Sequence, residues 1–409
     1  MTNPKNIEIA DYDYPLPEER IAKYPLDCRD HSKLLIYKKG NLSEAHFYNL
    51  PEQLPADSLL VFNDTKVIHA RLLFQKNTGS TIEIFCLEPW LMPVAQSFEM
   101  RDHCRWTCFI GNNKKWKEGD MVRELTIEGK PVTLRATRIE PLGNAWVVEF
   151  HWTGEVSFAE VIEQAGVIPL PPYLNREAEN SDNERYQTVY AEHQGSVAAP
   201  TAGLHFSDAI FDALRTKGIG TEFITLHVGA GTFKPVSTAT IGEHEMHVER
   251  VQITRSNLER IIGHQGHPLI PVGTTTVRTL ESVYWFGVKL CQNHKLEVMH
   301  VLQWDPYELE SMGISTTESY QQVMEWMDRH NIDILDGDTQ LLIAPGYHYH
   351  VIDGLITNFH QPKSTLLLLV SAYIGEDWKK CYQYALEHDF RFLSYGDSCL
   401  FLNTNPHEG

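Results

Sequence analysis

Apolar residues fall into short runs whose spacing changes along the chain. Near the start, Leu59-Leu-Val-Phe62 is a continuous apolar run closed by the turn-type cluster Asn63-Asp-Thr65, which predicts a buried strand. From Thr81 to about Trp152, β-type runs recur at Ile82–Cys86, Trp106–Ile110, Val132–Ala136 and Ala145–Phe150. Turn residues separate them, as at Gly111-Asn-Asn113 and Glu128-Gly-Lys130. Evenly spaced short strands predict a small barrel or sandwich. From about Gly154 the pattern turns to alternating helices and strands: helices over Phe158–Ala165 and Ser207–Thr216, strands over Phe223–Val228, Leu269–Val272, Leu341–Ala344 and Val351–Thr357. Alternation of this kind predicts α/β architecture. The expected fold is an α/β main domain, discontinuous over 1–75 and 153–409, with a small all-β, barrel-like domain inserted at 76–152. Pro89 to about Arg105 and Lys289 to about Gln340 read as decoration. The second stretch holds a surface helix, Tyr320–Arg329, and a turn at Asp336-Gly-Asp338.

Composition narrows the class. At 409 residues and 42% hydrophobic the chain is a folded protein of about two domains, not a disordered or repetitive one. Lys plus Arg number 35 against 54 Asp plus Glu, a formal charge of −19, which disfavours long-range attraction to nucleic acid. The polar, acidic N-terminus shows no signal peptide, and the longest apolar run, Leu366–Val370, is far short of the roughly 18 residues of a membrane span. Seven scattered cysteines suggest no disulfide framework, and His103, Cys104 and Cys108 lack the second pair of a zinc site. The expectation is a cytoplasmic protein without metal.

Candidate chemistry gathers where strands end, the ligand-binding edge of open α/β sheets. In Gly273-Thr-Thr-Thr-Val-Arg-Thr-Leu-Glu-Ser282 a helix starts at Thr274–Thr276 and Arg278 falls in its first turn. A cation there opposes the helix dipole unless an anion sits beside it; the plainer alternative is pairing with Glu281. Asn358-Phe-His-Gln-Pro-Lys-Ser-Thr-Leu366 repeats the misfit, with Lys363 at a helix start and His360 just ahead. Both read as pointing into one anion- or carboxylate-binding site. Val197–Phe206 is small-residue-rich and carries His205, a ligand contact or a structural histidine. Leu226–Phe233 has a glycine turn after a strand but no dinucleotide fingerprint. His244-Glu-Met-His247 is one residue short of the zinc-protease spacing, so a polar contact is the better reading. Asp64 and Asp397 are either acid/base groups or turn formers.

These residues, together with Asp11–Leu26, Val61–Ile68, Ile168–Tyr173, Arg185–Tyr190, Ala344–Tyr347 and Ser394–Asp397, make the chain resemble the S-adenosylmethionine:tRNA ribosyltransferase-isomerase family along its whole length. Departures from the family pattern stand at His69, Val248 and Gln361. The resemblance implies the α/β fold with an inserted barrel. It also implies transfer and isomerisation of the ribosyl part of S-adenosylmethionine onto 7-aminomethyl-7-deazaguanine at the wobble position of tRNA with a GUN anticodon. Epoxyqueuosine forms, and adenine and methionine leave. No metal or other cofactor is implied, S-adenosylmethionine being a co-substrate. On this resemblance Asp64, His205, His227 and Asp397 are the acid/base candidates. Thr65, Lys66, Arg71, Thr201, Gly229, Gly231, His247, Thr275, Arg278, Phe359, His360, Lys363, Ser364 and Tyr395 are candidates for substrate contact. Arg278 or Lys363 would anchor a carboxylate or phosphate, and Phe359 and Tyr395 would stack on a base. The alternative is a diverged paralogue with another small-molecule or RNA acceptor. The chain is expected to act as a monomer. Docking of tRNA on so acidic a body requires a local basic face, for which Lys23, Arg29, Lys33, Lys38, Lys39, Lys66, Arg71, Lys234, Arg278, Lys363 and Arg391 are available.

Overall fold

The computed structural model describes residues 3–76, 79–229, 236–309 and 313–402. It is a mixed α/β structure with three larger sheets and one two-stranded ribbon. The six-stranded sheet runs Leu269–Pro271, Leu59–Asn63, Gly220–His227, Glu249–Thr254, Ile334–Thr339, Met299–Val301. Its first three strands are parallel. The apolar run at Leu59 is buried on both faces, as strands covered on two sides are. A four-stranded sheet, Gly354–Asn358, Ser398–Leu402, Lys33–Lys38, Asn41–His46, joins chain start to chain end. A parallel bridge between Val272 and Ile356 links it to the six-stranded sheet.

The expected β region is a seven-stranded antiparallel sheet. It curls so that Arg123 on one edge strand donates to Leu73 O at 3.1 Å near the other edge. No main-chain ladder among the described residues closes it. Its apolar cluster packs Trp106 and Phe158 at 5.7 Å between ring centroids. The sheet takes in Arg71–Gln75 and Gly166–Val167, outside the expected 76–152, because Leu72 and Phe74 bury into this cluster and not into the main one. Cys104 and Cys108 lie buried here, and burial pushes both thiols up, keeping them protonated.

Three sequence expectations are corrected. The stretch Lys289 to Gln340 is not decoration: it supplies two strands of the six-stranded sheet and the helix Thr316–His330, which packs along the buried helix Thr274–Gln292. Asp336-Gly-Asp338 is strand, not turn. A Cβ on Gly337 would stand 2.8 Å from Met299 O and closer still to its side chain, so this glycine serves close strand approach. Leu341–Ala344 likewise forms no strand. The helix at 274–292 is buried nearly all round. Glu281 accepts from Tyr347 Oη at 2.6 Å and Val351 N at 3.0 Å.

Candidate active site

Four strands end at one place. Asn63, the chain after His227, Gly273 and Asn358 mark the carboxyl ends of parallel neighbours, the edge where α/β sheets bind ligands. A cleft of about 760 Å³ opens there, walled by the Ala198–Ala202 run, Val228, Gly273–Thr275, Thr357–Gln361, Ser364, Leu366 and Ser394. Two helices begin at this wall. Gly273 caps the Thr274 helix at φ +91°, a conformation that favours glycine, and donates to Ile356 O at 2.7 Å. Ser364 caps the Thr365–Ile374 helix, accepting from Leu367 N at 3.2 Å and donating to Gln361 O at 2.7 Å. Two positive dipole ends therefore meet in one cleft and favour an anionic group there.

Neutral polar groups form the cleft's remaining chemistry. His360 contacts Thr357 Oγ1 through Nε2 at 3.0 Å, and burial pushes its pKa down to about 3, so the imidazole is uncharged at neutral pH. Asn358 donates through Nδ2 to Leu393 O at 3.2 Å and Ser394 O at 3.3 Å. Its Oδ1 must then accept from His205 Nε2, 2.9 Å away. That assignment puts the His205 proton on Nε2 and leaves Nδ1 to accept from Ser32 Oγ at 2.7 Å. His205 is thus a neutral brace behind the cleft, and burial lowers its pKa.

Of the sequence candidates, Thr201, Thr275, Phe359, His360 and Ser364 line the cleft. The others lie elsewhere. Arg278 lines a neighbouring hollow of about 510 Å³ with His244, His247 and Glu249; Leu366 borders both spaces. Arg278 pairs there with Glu249 and donates to Leu341 O at 3.1 Å, while its Nη2 is buried without a partner. Lys363 sits at φ +55°, and its Nζ meets Asp13 at 2.7 Å on the surface. Neither helix-start cation therefore reaches into the cleft, because each has its own carboxylate. Asp64 accepts from Thr225 Oγ1 at 2.7 Å, and burial raises its pKa. His227 Nδ1 lies 3.1 Å from Thr65 Oγ1, with burial driving its pKa down to about 4. Strand alternation puts this set on the opposite side from Val228, which walls the cleft. Asp64, Glu192 and His193 bring ligand atoms within 4.8 Å of one another, a donor set able to hold a metal ion.

Asp397 is fully engaged with main chain, accepting from Lys33 N at 2.9 Å and Arg391 N at 2.7 Å. The ring of Phe359 packs among Tyr382, Phe390 and Phe392, and that of Tyr395 against Tyr186, with its hydroxyl on Asp182 at 2.8 Å. Neither ring face is open to a base. Arg71 stands in the seven-stranded sheet over the Phe85 ring, 3.6 Å from Glu83. Lys66 is partly exposed on the ribbon Thr65–Val67, and Gly229 follows Val228. Gly231 and Lys234 lie outside the described residues. Sequence reasoning missed Thr357, Asn358 and Ser394 as individual contributors. A polar pair closing an apolar strand just before a helix start was the available signal.

Cleft, strand ends and paired helix starts define an α/β enzyme-type binding site. The chain belongs to the family described as queuosine biosynthesis protein, which matches residues 9–401. Among similar proteins, the S-adenosylmethionine:tRNA ribosyltransferase-isomerase of Trichlorobacter lovleyi is 37% identical over 400 residues, 96% of this chain and 99% of that one. The enzyme of the same name from Synechococcus sp. is 38% identical, covering 97% of this chain and 96% of that one. The crystal structure of S-adenosylmethionine tRNA ribosyltransferase from Thermotoga maritima aligns with 96% of this chain and 100% of that chain at a TM-score of 0.46 and 25% identity.

Proposed function

We propose that the chain transfers and isomerises the ribosyl moiety of S-adenosylmethionine onto 7-aminomethyl-7-deazaguanine at the wobble position of tRNA with a GUN anticodon. Epoxyqueuosine-tRNA forms, and adenine and methionine are released. The observation that carries this is family membership over nearly the whole chain. In this reading the chain works as a cytoplasmic monomer, needs no cofactor beyond its co-substrate, and carries the seven-stranded unit as an inserted domain with its own apolar cluster. No helix among the described residues is long and apolar enough to cross a membrane.

The site chemistry suits the co-substrate. A sulfonium is a fixed cation, and an imidazolium beside it would repel it; burial keeps His360 neutral. The methionine tail is a zwitterion. The hollow beyond Leu366 offers the unpartnered Nη2 of Arg278 to a carboxylate and the Glu249 carboxylate to an ammonium. Asp64 and His227 stand outside the cleft, where burial raises the pKa of one and lowers that of the other. His205 and Asp397 have their polar atoms engaged by protein. The test is incubation with S-adenosylmethionine and precursor-bearing tRNA, followed by RNA digestion and mass measurement. Epoxyqueuosine and free adenine are expected; absence of both with folded protein defeats the reading.

A further inference from the structure

Beside the cleft lies a second, smaller niche of about 300 Å³ that shares Ser394 with it. Three guanidinium groups line it: Arg29, Arg185 and Arg391. They come from three distant parts of the chain, and no carboxylate residue lines the niche among the described residues. What holds them is mostly main-chain carbonyl oxygen. Arg29 Nη1 donates to Gln187 O at 3.0 Å, Arg185 Nη1 to Asp27 O at 3.0 Å and its Nη2 to Leu26 O, and Arg391 Nη1 to Tyr24 O at 3.5 Å. Carbonyls orient a guanidinium without cancelling its charge. Two carboxylates act on them: Asp397, 3.7 Å from Arg391, buried and already committed to two main-chain N–H groups, and the exposed Glu184, whose charge offsets part of the push on Arg29. The Nε of Arg185 is buried with no hydrogen-bond partner. Burial, and next the neighbouring Arg185 charge, push the Arg29 pKa down.

Three like charges gathered and only partly compensated carry a cost that an anion removes, even in a protein of net charge −19. Planar guanidinium forks match phosphate oxygens in bidentate geometry. We propose that this niche binds a backbone phosphodiester of the RNA substrate, holding the strand while the adjoining cleft takes the nucleoside to be modified. The proposal rests on the reading of tRNA as acceptor given above. Phosphate contacts position a nucleic acid without reading its sequence. The niche therefore sets register, and base recognition is left to the cleft.

The experiment measures binding of a precursor-bearing anticodon stem–loop across a salt series. It compares the intact protein with Arg29→Gln, Arg185→Gln and Arg391→Gln, and with Arg391→Lys. Each Gln change should weaken RNA binding about tenfold and flatten the slope of log affinity against log salt by about one. S-adenosylmethionine binding should stay within about twofold, and Arg391→Lys should restore part of the slope. Should a Gln variant not fold, a second arm works on the intact protein. Methylphosphonate substitution, one linkage at a time, should find a linkage near the modified base whose neutralisation alone costs about tenfold. Unchanged slopes in folded variants, or no sensitive linkage, overturn the proposal. So does inorganic phosphate bound at the niche with no competition against RNA, which would mark a free-phosphate site. If the intact protein binds RNA and forms product while niche variants match it, the niche alone fails. If the intact protein does neither, the functional reading itself has failed.

Discussion

At the start of the Thr274 helix the nearby cation, Arg278, is almost wholly buried, tied to Glu249 and to a main-chain carbonyl. At the start of the Thr365 helix the nearby cation, Lys363, has a side chain 43% exposed and meets Asp13 at the surface. Both helices open on the same cleft, and both cations face an unfavourable dipole end. The protein answers that misfit twice with a carboxylate, once inside and once outside. The two answers differ in energy. A buried pair broken on one side leaves an uncompensated charge and typically costs about 3–5 kcal/mol, whereas an exposed pair is worth about 0–1 kcal/mol. The difference teaches that a cation's place on a helix does not tell where its side chain goes. Direction depends on which carboxylate the fold brings within reach.

The sharpest break of this comparison is Arg278→Ala. It should lower unfolding stability by about 3–5 kcal/mol in a urea titration, because the buried Glu249 carboxylate loses its guanidinium. Arg278→Lys, if folded, should weaken binding of S-adenosylmethionine far more than of an analogue lacking the amino-acid tail. Equal weakening of both would remove Arg278 from the methionine subsite.

Next in size is an effect of pH on the Thr365 side of the cleft. The folded-state pKa of His360 is pushed down to about 3, against about 6.5 in an unfolded chain. The unfolded chain takes up a proton that the folded chain refuses. Its contribution is therefore whole above pH 6.5 and is lost as pH falls toward 3, at about 1.4 kcal/mol per unit. Glu281, raised to about 7 by burial, acts with the opposite sign: stability is lost as pH rises from about 4.5 to 7. The difference between the intact protein and His360→Gln, measured at pH 7.5 and pH 5, isolates the histidine. The gap should narrow or reverse in favour of the variant by about 2 kcal/mol at the lower pH.

Smaller still, Ser364→Ala should cost about 1 kcal/mol through loss of the cap on the Thr365 helix. Lys363→Ala should be the smallest, within about 1 kcal/mol, and should leave S-adenosylmethionine binding unchanged. A large loss of binding in Lys363→Ala would restore that residue as an anchor and erase the contrast with Arg278.

Much of the architecture was legible because it rests on local pattern. Ser207, Ser364 and Gly273 were readable as helix boundaries because caps and φ-permissive residues act within one turn. Leu59–Phe62 and the runs from Ile82 to Phe150 were readable as strands because apolar residues flanked by turn residues bury in few ways. Asp336-Gly-Asp338 was misread for the same reason in reverse. Its glycine answers a contact with Met299, 38 residues away in sequence, and no local pattern carries that.

By itself, then, the sequence determined much of the strand and helix inventory, the family, and the place of the candidate site at strand ends. Tertiary structure decided which polar groups share a space. Thr201, Thr275, His360 and Ser364 meet in the cleft, and Arg278 and His247 line a separate hollow that shares Leu366 with it. Arg29, Arg185 and Arg391 converge from three segments. Local propensity acts over a few residues of chain, whereas charge compensation and burial act through space. A side chain's partner is therefore settled only when distant segments pack.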